Sequence, residues 1–193
     1  GDLREALRSG GLLLHYQPKA SLRTGSLVGA EALLRWHHPT RGNVSPAQFI
    51  PLAEETSLIV ELGNWILDQA CRQIRSWLDA GVNIVPIAVN LSPRQFVAEL
   101  PERLQAITEQ HGVPSELLRL EITESLLMHG PEKAIAIMNK LVAQGFGLAL
   151  DDFGTGYSSL AYLKKFPITT LKIDRSFVLG VPHDENDCAI AQA

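Results

Sequence analysis

Cysteine is almost absent from this chain, and that excludes several classes at once. Cys71 and Cys188 are far apart and share no metal-ligand spacing. They read as two isolated buried thiols of a reducing compartment, not as a disulfide framework or a zinc-thiolate site. Positive charge is also short. The formal net charge is −4, whereas proteins that coat nucleic-acid polymers show a basic footprint. No apolar run reaches the ~18 residues a membrane span needs, and no signal peptide is visible. The six histidines show no ligand spacing, so they read as surface or core residues. Gly154-Thr155-Gly156 lacks the full spacing of a dinucleotide or P-loop phosphate cradle.

What remains is a chain with enough apolar material for one globular domain. It has 193 residues, 46% of them hydrophobic and 20% charged, which suits a substantial single core. Residues 2–9 read as a short helix. Leu12 to Gln17 and Leu27 to Trp36 read as strands. The link between them, around Arg23-Thr24-Gly25-Ser26, is too short for a parallel crossover, so the two are expected to be antiparallel. Ser45-Pro46 is a helix start signal. A second helix is expected from about Ile59 to Ala80, stopped by Gly81. Its Trp65, Ile66, Ala70, Ile74 and Trp77 recur at helical spacing and read as core packing.

Strand–helix alternation follows. Strands are expected at Ile84 to Asn90, Leu118 to Thr123, Gly147 to Asp151 and Thr170 to Asp174. Helices are expected at Gln95 to His111 with a break near Pro101, at Pro131 to Gln144, near Leu160 to Lys164, and from Asp184 on. Such alternation implies a largely parallel sheet with helices outside it.

Residues two apart on a strand share a face. By that parity Glu31, Asn90, Glu121, Asp151 and Lys172 all lie on the face opposite the large apolar residues, and Asn90, Glu121 and Asp151 fall at the carboxyl ends of their strands. In a (β/α)₈ barrel that rim is where active sites sit. Taken alone, Asp151-Asp152 reads equally well as an ordinary turn, Thr123-Glu124-Ser125 as a strand end and helix cap, and Asn90-Leu91-Ser92-Pro93 as a turn capped by Ser92. Together, three carboxylates and an amide oxygen from separate strands, with Asp152 adjacent, make an oxygen-rich site suited to Mg²⁺ or Mn²⁺. A bridging acid suits two ions that clamp a phosphoryl displacement. Lys172 would neutralise developing charge or position the water.

These residues lie in a series of motifs that resembles the EAL domain, the bacterial cyclic di-GMP phosphodiesterase module. The series is Tyr16-Gln17-Pro18, Gly29-Ala30-Glu31-Ala32-Leu33-Leu34-Arg35-Trp36, Phe49-Ile50-Pro51-Leu52-Ala53-Glu54, Val89-Asn90-Leu91-Ser92, Glu121-Ile122-Thr123-Glu124-Ser125, Asp151-Asp152-Phe153-Gly154-Thr155-Gly156-Tyr157-Ser158-Ser159 and Leu171-Lys172-Ile173-Asp174-Arg175-Ser176-Phe177. It covers nearly the whole chain, in order. The resemblance implies a modified TIM barrel with an antiparallel first strand. It implies that Glu31, Asn90, Glu121 and Asp151 bind one metal, that Asp151 is shared with a second, and that Asp152 binds the second. Lys172 would sit by the nucleophilic water, so Lys172, Glu31, Asp151 and Asp152 form the catalytic set. Glu124 would anchor the Asp152–Ser159 loop. Gln17, Leu33, Arg35 and Asp174 would lie near the dinucleotide.

The implied reaction is hydrolysis of cyclic di-GMP to linear pGpG by metal-activated water, with no covalent intermediate. The rival is a receptor module that binds cyclic di-GMP without cleaving it. The resemblance also implies a homodimer coupled through the glycine loop, fusion to sensor or cyclase domains, no nucleic-acid polymer as partner, and a cytoplasmic location, either free or as part of a membrane-bound sensor. Thr169 departs from an Asp common in the family. The family's closing strands, one carrying a carboxylate for the second metal, are not reached by Ala193. A fragment without them is expected to have an open side covered by further residues or a neighbouring chain, little activity, and an altered glycine loop.

Overall fold

The computed structural model describes residues 2–124, 126, 130–154 and 163–192. Helix α1 spans Asp2–Ser9 and leads into strands β1 (Leu12–Ala20) and β2 (Leu27–His38). They pair antiparallel, with Gln17 opposite Glu31, as the short link requires. Strand β3 (Gly42–Val44) then folds back on the end of β2. It was not expected, because three residues around Asn43 carry no alternation to read. Helices α2 (Pro46–Glu55) and α3 (Leu58–Asp79) follow.

The alternating part runs β4 (Ile87–Asn90), α4 (Leu100–His111), β5 (Leu118–Thr123), α5 (Pro131–Ala143), β6 (Gly147–Phe153), β7 (Thr170–Ile173) and α6 (Glu185–Gln192). Strands β2, β4, β5, β6 and β7 are successive parallel neighbours. With β1 on the outside of β2, the order is β1-β2-β4-β5-β6-β7. This is part of a TIM barrel whose first strand is antiparallel.

Several boundaries differ from expectation for local reasons. β1 continues past Pro18 to Ala20. Proline is tolerated there because β1 is an outer strand and that amide has no ladder partner to lose. β4 begins only at Ile87, after Pro86. The expected break near Pro101 falls earlier. Pro93–Gln95 forms a single 3₁₀ turn and α4 starts at Leu100, with Pro101 in its first turn, where a missing N–H costs nothing. The short helix expected near Leu160 to Lys164 lies largely outside the described residues.

Two apolar clusters hold these elements together. In the larger, Leu118, Leu120 and Ile122 of β5 and Leu148 and Leu150 of β6 are fully buried beneath Ala70 and Ile74 of α3, Leu104 of α4 and Met138 of α5. Full burial of each such side chain contributes about 1.5–3 kcal/mol. Cys71 lies in this cluster, and burial pushes its thiol up to about 12. Both cysteines are free, and Cys188 is half-buried, unlike the buried thiol expected. The smaller cluster packs Ala6, Leu12, Leu34, Trp36, Phe49, Ala53, Ile59 and Leu62 between α1, the far end of β2, α2 and the start of α3. No helix among the described residues is long and apolar enough to cross a membrane.

Candidate active site

The helix side of the sheet takes the large apolar residues, so the opposite face collects the polar ones. Register makes the collection specific. Gln17 is opposite Glu31, Asn90 is beside Glu121, and Thr123 is beside Asp151. Carboxylate oxygens of Glu31, Glu121 and Asp151 lie within 4.8 Å of one another. Asn90 Nδ2 donates to Glu31 Oε1 at 2.8 Å, so the side-chain oxygen is the Asn90 atom that could serve as a ligand.

Three carboxylates at that spacing repel, and the Glu121 side chain has no solvent exposure at all. Such a group needs compensating charge. Lys172 of β7 supplies it, with Nζ at 2.5 Å from Glu121 Oε2, 2.8 Å from Asp151 Oδ2 and 3.3 Å from Glu31 Oε2. Burial works against the Lys172 charge, but its hydrogen bonds to Asp151 and Glu121 hold its pKa above the usual lysine value. Burial likewise works against the Glu31 charge, and the Asn90 hydrogen bond with the Lys172 and Lys19 ammoniums outweighs it, so Glu31 titrates below the usual range.

Lys19 is the member that sequence reasoning missed. Its Nζ lies 2.5 Å from Glu121 Oε1 and 3.5 Å from Glu31 Oε2. The signal was present in the parity His15, Gln17, Lys19 on one strand face. Ending the strand at Gln17, before Pro18, hid it.

Asp152 occupies a different kind of position. The β6–β7 register shifts between Leu150 and Phe153, and Asp152 has φ 53. It therefore lies in a bulge inside β6 and does not open the loop after the strand. Aspartate tolerates the left-handed region better than most residues, and its amide donates to Asp151 Oδ1 at 2.9 Å. Its carboxyl is exposed; what burial it has, and then the charges of Asp151 and Asp174, push its pKa up. Asp174 itself is held low by hydrogen bonds from the Ser176 side chain and amide.

Glu124 is buried, and its Oε2 accepts from the Gly154 amide at 3.0 Å. The rest of the loop it was expected to anchor, Thr155 to Ser159, lies outside the described residues. Leu33, Arg35 and Asn90 line a cleft of about 480 Å³ beside the carboxylates. Arg35 Nη1 donates to the Leu34 carbonyl at 2.9 Å. Gln17 is exposed on the outer strand.

The donor set fits a hard divalent cation. It is all oxygen, drawn from separate strands, and its negative charge draws two ammonium groups. The triad can bind a metal ion.

Known proteins carry the same pattern. The EAL domain family profile matches residues 1–193. A bifunctional diguanylate cyclase/cyclic di-GMP phosphodiesterase of Pseudomonas aeruginosa, MucR, is 50% identical over 193 residues, all of this chain and 28% of its own length. The cyclic di-GMP phosphodiesterase NbdA of the same organism is 44% identical over 193 residues, again all of this chain and 25% of its own. The chain thus spans about a quarter of the length of these curated relatives. A solved structure of the Pseudomonas MucR phosphodiesterase in complex with c-di-GMP superposes with a TM-score of 0.93 at 50% identity, covering 98% of this chain and 77% of that one. Motifs, strand order and a family match over residues 1–193 agree: the chain belongs to the EAL domain family.

Proposed function

We propose that residues 1–193 form an EAL domain without the family's closing strands, and that the full gene product hydrolyses cyclic di-GMP to linear pGpG through it. The observation that carries this reading is the cluster of Glu31, Glu121 and Asp151 around Lys172, drawn together from four separate strands. Glu31, Asn90, Glu121 and Asp151 would hold one Mg²⁺ or Mn²⁺, and Asp151 with Asp152 would face a second. When bound, such ions supply Lewis-acid stabilisation of phosphoryl charge and a water acidic enough to lose its proton near neutral pH.

The chain's own residues do the rest. Lys172 stays protonated, so it orients the attacking water and offsets the charge gathering on the phosphoryl oxygens; it is not the base. Leu33 and Arg35, which line the cleft, together with Gln17 and Asp174 outside it, would hold the dinucleotide so that one phosphodiester lies in line with the water. Glu124 fixes the Gly154 amide and with it the approach to Asp152.

The test is product analysis after incubating the full gene product with cyclic di-GMP and Mn²⁺. Linear pGpG should accumulate, and Lys172→Met should slow it by about a hundredfold or more. Intact cyclic dinucleotide with retained binding would favour the rival receptor reading.

The same reading places the domain in the cytoplasm, beside sensor or cyclase domains of a longer protein, and as a homodimer. Sedimentation of the full gene product as a monomer with substrate and metal would reject the dimer. Cleavage by external protease in intact cells would reject the location.

A further inference from the structure

We propose that Lys19 is a tethered cation that competes with the divalent metal for Glu121 and Glu31 and must withdraw when the metal binds. The inference rests on reading those carboxylates as metal ligands. Both oxygens of Glu121 are taken, Oε2 by Lys172 and Oε1 by Lys19, each at 2.5 Å. The Glu121 side chain has no solvent exposure, so a metal arriving at its oxygens meets both ammoniums at contact distance. Lys172 has three carboxylate partners, Glu31, Glu121 and Asp151, and its side chain is 26% exposed. Lys19 has two, Glu121 and Glu31, and is 34% exposed. Lys19 is therefore the ammonium held less firmly and the one with open water to move into.

Charge leads to the same residue. Three carboxylates against two ammoniums leave one negative charge in the cluster. A dication added with both lysines in place would leave one positive charge, whereas a dication with Lys19 withdrawn leaves the cluster neutral. Backbone geometry favours the withdrawal. Lys19 sits where the β1–β2 register shifts, between Lys19 and Ala20, on an outer strand whose far side carries no further ladder among the described residues. Its stem can swing without disturbing a central strand. Like charges a few ångströms apart repel by an amount that governs occupancy, so Lys19 sets how much metal the site needs. In the metal-free protein it holds the carboxylates together.

The test is Mn²⁺ affinity by calorimetry for the wild type, Lys19→Met and Lys19→Arg, with the melting temperature measured in the absence of metal. Lys19→Met should bind Mn²⁺ at least about fivefold more tightly and melt lower without metal, and Lys19→Arg should restore wild-type-like affinity. Equal or weaker binding by Lys19→Met would overturn the proposal, because Lys19 would then position Glu121 for the metal. Should Lys19→Met not fold, lysine labelled with carbon-13 at Cε reports on the wild type, with the Lys19 signal assigned by its loss in Lys19→Arg. Saturating Mg²⁺ should move that signal to the position of a free lysine, and an unmoved signal would overturn the proposal. Absence of any saturable metal binding by the wild type would reject the metal site itself and this inference with it. Normal wild-type binding with no change in Lys19→Met would reject the inference alone.

Discussion

Asp152 combines two unfavourable features at one residue. Its backbone is left-handed at φ 53, and its carboxyl stands beside Asp151 and Asp174, whose charges act with burial to raise its pKa. Strained backbone of this kind clusters at functional sites. Asp152→Gly removes the strain and the repulsion together, so the metal-free protein should gain roughly 1 kcal/mol, or about 2–4 °C in melting temperature. Turnover of cyclic di-GMP should fall at the same time. A melting temperature lowered by the substitution would show that the bulge is not strained. At this scale the sequence was readable where parity alone decides, as for Glu31, Asn90, Glu121, Asp151 and Lys172. It misled where a strand carried an irregularity. Pro18 concealed Lys19, and the bulge at Asp152 made a strand residue look like the start of a loop.

Between elements, two contacts hold the helices at the positions that aim the site. The first is Gly63 of α3, where an added Cβ would lie 1.9 Å from Gln95 Nε2 and 2.2 Å from its Cδ. Gln95 is buried, and its Oε1 accepts from the Ser92 amide while the Ser92 side chain caps the same turn. That turn directly follows Asn90. Gly63→Ala should therefore displace Gln95, open the cap and cost about 1–3 kcal/mol by chemical denaturation, with Mn²⁺ affinity falling as Asn90 shifts. Unchanged stability would mean the turn adapts freely.

The second contact joins α3 to α4. Asp68 accepts from His111 Nε2 at 2.7 Å and from Arg72 Nε at 2.8 Å. Burial alone would raise the Asp68 pKa, and these partners outweigh it, so it sits below the usual aspartate value when folded. A depressed carboxyl contributes stability that is present above its unfolded pKa and lost as pH falls through the folded value. Wild type should exceed Asp68→Asn by about 1 kcal/mol near pH 6, and the gap should shrink as the pH falls and the carboxylate takes up its proton. A gap constant with pH would show that the pair is not ionic. The helices were legible from apolar spacing and capping. Such pairings between helices were not, because periodicity locates a face without naming the residue opposite it.

For the whole molecule the informative fact is curvature. Strands β1 and β7 lie at opposite ends of the strand order, five steps apart, which in a flat sheet would separate them by roughly 24 Å. Yet Lys19 of β1 and Lys172 of β7 reach the two oxygens of one carboxylate, Glu121. The sheet is therefore rolled into a trough with the acidic cluster on its concave face. Class and strand order were legible from strand–helix alternation. The roll was not, since it arises from twist and packing summed over all the strands. Among the described residues β7 is an outer strand, with Leu171 41% and Ile173 43% exposed. Exposed apolar edges favour association. The 193-residue chain should show concentration-dependent growth in light scattering that Ile173→Lys suppresses, and a monodisperse monomer at high concentration would contradict that.

The central claim is that this concave cluster drives attack of water on cyclic di-GMP. The most direct measurement is turnover of cyclic di-GMP by the full gene product with Mn²⁺ in oxygen-18 water, read by mass spectrometry of the product. The account predicts linear pGpG carrying one labelled oxygen on its terminal phosphate, formed about a hundredfold or more slowly by Glu121→Gln. Cyclic dinucleotide recovered intact, or a Glu121→Gln variant as fast as the wild type, would contradict it.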